Sequence, residues 1–109
     1  MVKFRKNIAL YFGVNAAIIA DYLWEQLRNG PDDGKMSIQY DRLWVRCSQI
    51  MMTGEFPFMS KHMVKDAVDL LIEKSILIKD HFNDSRFDRT NWYAFTNYGA
   101  KLMKEGEAT

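Results

Sequence analysis

The stretch that decides the fold is residues 60–74, SKHMVKDAVDLLIEK, followed by residues 75–79, SILIK, and, after a polar segment, residues 91–96, NWYAFT. Ser60 can cap a helix, because its side-chain oxygen can accept a free backbone N–H of the first turn. The apolar positions that follow are spaced by three or four and predict one buried stripe of Val64, Ala67, Val68 and Leu71. The two later runs are short and apolar, which predicts paired strands. A helix followed directly by such a hairpin is typical of the recognition helix and wing of a winged helix-turn-helix.

Outward from this stretch, the sequence predicts a single domain over 1–109 that is α+β but mainly α, with a three-helix core, a β-hairpin wing and a short C-terminal helix. Asn15 and Asp41 are predicted to cap the first two helices, and Pro57 breaks the chain before the third. Residues 35–39 alternate and predict a short strand that pairs with the hairpin. The predicted boundaries are a leading segment 1–14, helix 1 at 15–29, helix 2 at 41–53, the recognition helix at 60–75, the wing hairpin at 76–96 and a closing helix at 97–104.

Composition narrows the class of protein. Fifteen Lys and Arg residues against fourteen Asp and Glu residues give a net charge of +1, so no global positive field attracts nucleic acid. The single cysteine, Cys47, excludes an internal disulfide and fits a reducing compartment. No segment approaches the roughly 20 apolar residues that span a bilayer. We therefore predict a cytoplasmic protein.

Four stretches together resemble a known family. They are residues 13–24, GVNAAIIADYLW, residues 40–44, YDRLW, residues 56–60, FPFMS, and residues 82–93, FNDSRFDRTNWY. They are similar to the winged-helix N-terminal domain of phage replisome organisers and plasmid-type replication initiators, a group that includes DnaD-like primosome proteins. The last stretch is the most specific, because an Asp-Arg-Thr and a Trp-Tyr recur in that family's wing. The resemblance implies a winged helix that binds double-stranded DNA in replication initiation or transcriptional control.

The basic residues that could contact DNA fall into three groups. Those in the first turns of the recognition helix can reach base edges or phosphates, those in the wing can contact the backbone, and those in the N-terminal arm can contact phosphates. The candidates are Lys61, His62 and Lys65 in the helix, Arg86 and Arg89 in the wing, and Lys3, Arg5 and Lys6 in the arm. The alternative for each group is a solvated or locally paired charge. A homodimer formed through 1–14 is also predicted as possible, since two half-sites need two recognition helices.

Acidic residues interleave with these basic ones and support a rival hypothesis of a different class. The acids are Asp66, Asp69 and Glu73 in the helix, with Asp84 and Asp88 in the wing. They leave the recognition helix close to neutral. Such a row can imitate DNA phosphates, so the alternative function is a phage-type inhibitor or adaptor of a host protein such as a nuclease, a replisome component or a CRISPR effector.

No pattern in the sequence predicts an enzyme, a metal site or a cofactor. His62 and His81 lie on different predicted elements, without a cysteine or carboxylate at metal-ligand spacing. Cys47 is expected on the apolar side of helix 2 as a buried, inert thiol. Of Trp92 and Tyr93, which alternate across a strand, one is predicted in the core. The methionines near the turn are read as core residues or as an adaptable partner surface.

Overall fold

The computed structural model describes residues 3–28, 36–39, 42–80 and 90–107. The described elements are α1 (Lys6–Phe12), α2 (Val14–Arg28), β1 (Met36–Gln39), β2 (Arg42–Arg46), α3 (Gln49–Glu55), α4 (Lys61–Glu73), β3 (Leu77–Asp80), β4 (Trp92–Phe95) and α5 (Asn97–Glu107). The protein is therefore α+β and mainly helical, as predicted. Within the described ranges, no helix is long and apolar enough to cross a membrane.

The four strands form one antiparallel sheet in the order β1-β2-β4-β3. In β4, Tyr93 lies opposite Val45 of β2, and Phe95 lies opposite Leu77 of β3. Every residue of β4 is buried, so both faces of this central strand are covered. Trp92 packs in a small cluster with Trp44, whereas Tyr93 lies in the main core. The prediction that one of the two aromatic residues is core is confirmed by Tyr93, and the other, Trp92, is buried in the second cluster.

The main core forms where α2 packs against α1, α4 and β2. Six consecutive residues of α2, from Ala16 to Asp21, are buried. Small residues on this helix let its neighbours approach closely, while Trp24 meets Phe95 edge to face with ring centroids 5.0 Å apart. Helix α2 is therefore the frame on which the other elements are positioned.

Helix α4 forms as its local sequence predicts. Ser60 is the N-cap, and its hydroxyl accepts the backbone N–H of Met63 at 3.1 Å. The buried residues are Val64, Ala67, Val68 and Leu71, which confirms the predicted stripe. The chain turns out of the helix at Ser75, which has a φ of 63° and directs it into β3. The helix and the β3–β4 pair thus occupy the predicted places, while 81–89 between the strands lie outside the described residues.

The prediction of a helix at 41–53 is wrong. Its first part is strand β2, which pairs with β1 and β4, and a shorter helix, α3, begins only after Ser48. Ser48 caps α3 by accepting the backbone N–H of Met51 at 3.1 Å. Strand pairing with β4, about 50 residues away in the chain, outweighs the local helical spacing because it buries Trp44 and Val45 on opposite faces of the sheet. Asp41, the predicted cap, lies outside the described residues.

Smaller differences concern the ends of the outer helices. The leading segment contains helix α1, which ends at Gly13 with a φ of 92°, a conformation that favours glycine. Helix α2 starts at Val14, and its first turn closes through the Ala17 N–H and the Gly13 carbonyl at 3.1 Å. Asn15 is therefore a residue of the first turn and not the predicted cap. Helix α5 extends to Glu107, beyond the predicted 104.

Alkaline pH is expected to destabilise the fold through Tyr22. This residue packs edge to face on Phe56 at 5.3 Å, and burial, followed by the nearby Cys47 and Glu55, raises its pKa from 10.0 to about 12. A folded-state pKa above the unfolded one means that the neutral tyrosine stabilises the fold fully below pH 10. That stabilisation is lost as the pH rises from 10 towards 12.

Urea denaturation at several pH values between 8 and 12 measures this effect. We expect Tyr22→Phe to remove part of the stability loss above pH 10, and Tyr98→Phe, at an exposed position of α5, to leave it unchanged. If the free energy of unfolding falls equally with pH in both variants above pH 10, ionisation of Tyr22 does not limit stability.

Candidate nucleic-acid interface

Helices α3 and α4 are held in a fixed relation by an apolar turn. Phe56 and Met59 are both buried, and the Met59 N–H donates to the Phe56 carbonyl at 2.9 Å. The ring of Phe58, more exposed, packs on Phe56 at 5.9 Å. Pro57 between them prevents α3 from continuing. The first turn of α4 is thus presented to solvent from a rigid base.

Charges on α4 are segregated around its axis. Lys61, His62 and Lys65 are all exposed, as are Asp66 and Glu73. Because each helical residue is rotated by roughly 100° from the last, Lys61 and Lys65 share one edge, on which Lys61 lies near Thr90 and Asn91. Asp66 lies on the opposite edge, and His62 and Glu73 lie between the two. The total charge of this helix is therefore close to zero, although one edge is basic and another is acidic.

Lys65 is paired within its own helix. Its Nζ donates to Asp69 Oδ2 at 2.7 Å, an i,i+4 pair in which both side chains are about half exposed. The hydrogen bond from Lys65 to Asp69 raises the pKa of the lysine, so it stays protonated. Such an exposed pair contributes little to stability and can exchange partners. Lys65 is consequently a weaker anion contact than Lys61.

A groove of about 300 Å³ opens where three segments meet: the start of α3, the start of α4 and the residues that lead into β4. We name it the polar groove, and its lining is Ser48, Gln49, Ile50, Lys61, Thr90 and Asn91. None of these six residues is acidic. Apart from the apolar Ile50, the groove therefore combines a lysine with hydroxyl and amide groups, which are the usual protein contacts of nucleic-acid phosphates.

A second cation reaches the polar groove from β2. Arg46 lies at the end of that strand, and its Nη2 donates to Thr90 Oγ1 at 3.4 Å. The neighbouring Cys47 N–H donates to the Asn91 carbonyl at 3.1 Å, which ties β2 to the lead-in of β4. Backbone bonding between strands thus fixes Arg46, Thr90 and Asn91 relative to one another.

The N-terminal basic residues divide into structural and solvent-facing ones. The side chain of Arg5 is only 9% exposed, forms an ion pair with Asp21 and donates from Nε to the Met103 carbonyl at 2.7 Å. This arrangement gives Arg5 a structural role in place of the predicted DNA contact. Lys3 lies 3.6 Å from Glu25 at the surface, and Lys6 is exposed. Lys6 is therefore the exposed basic residue of α1 that could contact DNA.

The wing candidates Arg86, Arg89, Asp84 and Asp88 lie outside the described residues, as does His81. Among the residues that the structure does describe, no group of three or more His, Cys, Asp or Glu could hold a metal ion.

Cys47 is a buried free thiol, and it follows β2 and does not lie on a helix. The methionines near the turn are split, with Met52 and Met59 buried and Met51 and Met63 exposed.

Sequence reasoning missed Ser48, Gln49 and Asn91 as residues that share a groove with Lys61, and it missed Arg46 as a partner of Thr90. The erroneous helix at 41–53 placed Arg46 and Ser48 mid-helix, where they have no relation to the hairpin. A usable signal was present, because Leu43, Trp44 and Val45 favour a strand and Ser48 is a good cap.

Comparisons with known proteins do not identify this chain: no family model matches it, and neither a curated protein nor a solved structure is significantly similar to it.

Proposed function

We propose that this protein is a winged-helix DNA-binding protein of the phage replisome organiser or plasmid-initiator type. In this proposal it acts in the cytoplasm, in replication initiation or transcriptional control, by binding and not by catalysis. The observation that carries the proposal is the polar groove, whose lining combines Lys61 with hydroxyl and amide groups and which Arg46 reaches through its hydrogen bond to Thr90.

The proposed docking follows from the positions of the elements. Helices α3 and α4 with their turn act as the helix-turn-helix, and the β3–β4 pair acts as the base of the wing. The first turn of α4 enters the major groove with Lys61 and His62, and the DNA backbone crosses the polar groove. Lys61 and Arg46 neutralise phosphates, while Gln49 and Asn91 donate hydrogen bonds. The acidic edge of α4 points away from this path, so the near-neutral net charge of the helix is compatible with binding.

The test measures fluorescence anisotropy of labelled random duplex DNA with the wild type and with Lys61→Ala. We expect salt-sensitive binding by the wild type in the micromolar range, which is the usual non-specific scale. Lys61→Ala is expected to weaken binding about three- to tenfold at low salt. It should also reduce the slope of log K against log salt by about 0.9, the value for one phosphate contact.

The matched control is Lys101→Ala, which removes the same exposed charge from α5, outside the polar groove. If both lysine variants lose affinity equally, binding depends on net charge and the polar groove is not the site. Absence of binding at low salt would reject the DNA function altogether.

A further arm of the same assay addresses the rival hypothesis of a DNA mimic. Reversing Asp66 and Asp69 to Lys removes two of the three acidic residues of the helix and releases Lys65 from its ion pair. A DNA-binding helix then binds DNA more tightly. A mimic, by contrast, binds no DNA in either form and loses its protein partner after the change.

A further inference from the structure

Ile50 takes no part in the phosphate contacts that are proposed for the polar groove. Among the six described residues that line the groove, it is the only one without a polar side chain. It is also 71% exposed, so it contributes little to the core of the protein. A lysine, a hydroxyl or an amide can donate a hydrogen bond to a phosphate oxygen, whereas an isoleucine cannot. The groove therefore has a contact surface for an apolar part of its ligand.

The side chain of Ile50 projects from a fixed turn. It is the second residue of α3, and the first turn of that helix is held by two bonds to Ser48. The Ser48 hydroxyl accepts the Met51 N–H at 3.1 Å, and the Ser48 carbonyl accepts the Met52 N–H at 3.2 Å. A β-branched side chain in a helix has one strongly preferred χ1 rotamer. Ile50 therefore has one preferred orientation and loses little conformational entropy when a ligand contacts it.

A nucleic-acid strand that crosses the groove presents charged and apolar surfaces in alternation. Its phosphates meet Lys61 and the hydroxyl and amide groups, and the sugar between two phosphates is the part left for Ile50. In DNA, C2′ of that sugar is a methylene group, which packs favourably on an apolar side chain. In RNA the same carbon carries a hydroxyl, the group by which proteins distinguish the two nucleic acids. Against Ile50 this hydroxyl loses its water and gains no protein partner, which is unfavourable.

We propose that Ile50 makes the polar groove selective for deoxyribose, so that the site accepts a DNA strand and discriminates against ribose at the same position. This inference rests on the proposed function, because it requires that a nucleic-acid backbone crosses the groove. It goes beyond that function by assigning the sugar specificity to one residue. The expected penalty for ribose is about five- to tenfold in affinity, at the low end of the cost of an unsatisfied hydroxyl group.

Fluorescence anisotropy with three duplexes of one sequence tests the proposal. The first duplex is all-deoxy, the second carries a ribonucleotide at every third position of each strand, and the third carries 2′-fluoro nucleotides at those same positions. The fluorine favours the same sugar pucker as the hydroxyl but donates no hydrogen bond, so it controls for the shape of the duplex. We expect the wild type to bind the ribose duplex about five- to tenfold more weakly than the fluoro duplex.

Three variants assign this ratio of affinities to Ile50. Ile50→Thr brings a hydroxyl into the groove and keeps a β-branched side chain. The introduced hydroxyl can hydrogen-bond to the 2′-hydroxyl, so the ratio should fall below about twofold. Ile50→Val keeps the site apolar and should retain the ratio. The matched control is Met51→Thr, at the neighbouring exposed residue of α3 that is not part of the groove lining, and it should also retain the ratio.

The outcomes separate this inference from the function on which it rests. Equal affinities of the wild type for the ribose and fluoro duplexes would overturn the inference, as would a ribose penalty that survives Ile50→Thr or disappears in Met51→Thr. In each of these cases, binding of the all-deoxy duplex leaves the proposed function standing. Failure of the wild type to bind the all-deoxy duplex at low salt would reject the proposed function and this inference with it.

Discussion

Asp21→Ala is expected to lower the free energy of unfolding by about 3–5 kcal/mol, because it removes one partner of a buried ion pair. The side chains of Arg5 and Asp21 are only 9% and 6% exposed, so the guanidinium left behind would be a largely buried charge that has lost this carboxylate. Alanine is the best helix former, so loss of helix propensity in α2 cannot account for the effect. Urea denaturation monitored by tryptophan fluorescence measures it.

Glu25→Ala is the matched control, one turn further along the same helix. Glu25 lies 3.6 Å from Lys3 and 3.9 Å from Arg28 in more exposed pairs, which are worth less than about 1 kcal/mol. A second comparison replaces both partners of the buried pair, Arg5→Met with Asp21→Leu. Since apolar pairs of similar volume often match a buried ion pair, this variant should regain much of the loss. Equal stabilities of the Asp21 and Glu25 variants would contradict the assignment.

The buried pair also fixes α1 in place. Arg5 donates to the Met103 carbonyl, and Asn7 Nδ2 donates to the Leu102 carbonyl at 2.8 Å, so α1 is tied to both α2 and α5. Helix α1 therefore has a defined direction relative to α2 and α5. Nothing in the sequence distinguishes Arg5 from Lys3 or Lys6, because the pairing depends on a residue 16 positions away and on α5 at the far end of the chain.

Local signals were sufficient for α4 and for the strands that follow it. Ser60, the spacing of Val64, Ala67, Val68 and Leu71, and the apolar runs on either side of 81–89 each act over a few residues. Such short-range determinants are visible in a single sequence. The mainly helical α+β class follows from them.

Pairing between residues far apart in the sequence determined the structure of 42–46 and the composition of the polar groove. Leu43 and Trp44 also fit a helical spacing with later residues, so the strand preference of 43–45 prevails only through pairing of β2 with β1 and β4. The polar groove depends on that pairing, since Ser48 lines the groove with Lys61, and Arg46 bonds to Thr90, only when β2 is a strand. Lys61 was predictable from its place in α4, whereas its neighbours were not.

Gly99→Ala is expected to destabilise the fold by about 3 kcal/mol through a clash with the main chain. A Cβ atom at Gly99 would lie 2.2 Å from the carbonyl oxygen of Ile76, a contact that no side-chain rotation relieves. That same carbonyl accepts the Thr96 N–H at 3.1 Å, so α5 would have to move away from the start of β3. The gain of about 1 kcal/mol in helix propensity is too small to offset this.

Gly54→Ala is the opposite case and serves as the control. Gly54 lies within α3, and apart from the backbone of that helix nothing lies within 4 Å of the place that a Cβ atom would occupy. Alanine should therefore stabilise the protein by about 0.5–1 kcal/mol. Thermal denaturation should show a lower melting temperature for Gly99→Ala than for the wild type and a higher one for Gly54→Ala. A Gly99 variant as stable as the wild type would mean that α5 can shift on the sheet at little cost. In that event the base of the β3–β4 pair would not be the rigid support that the proposed DNA-binding mode requires.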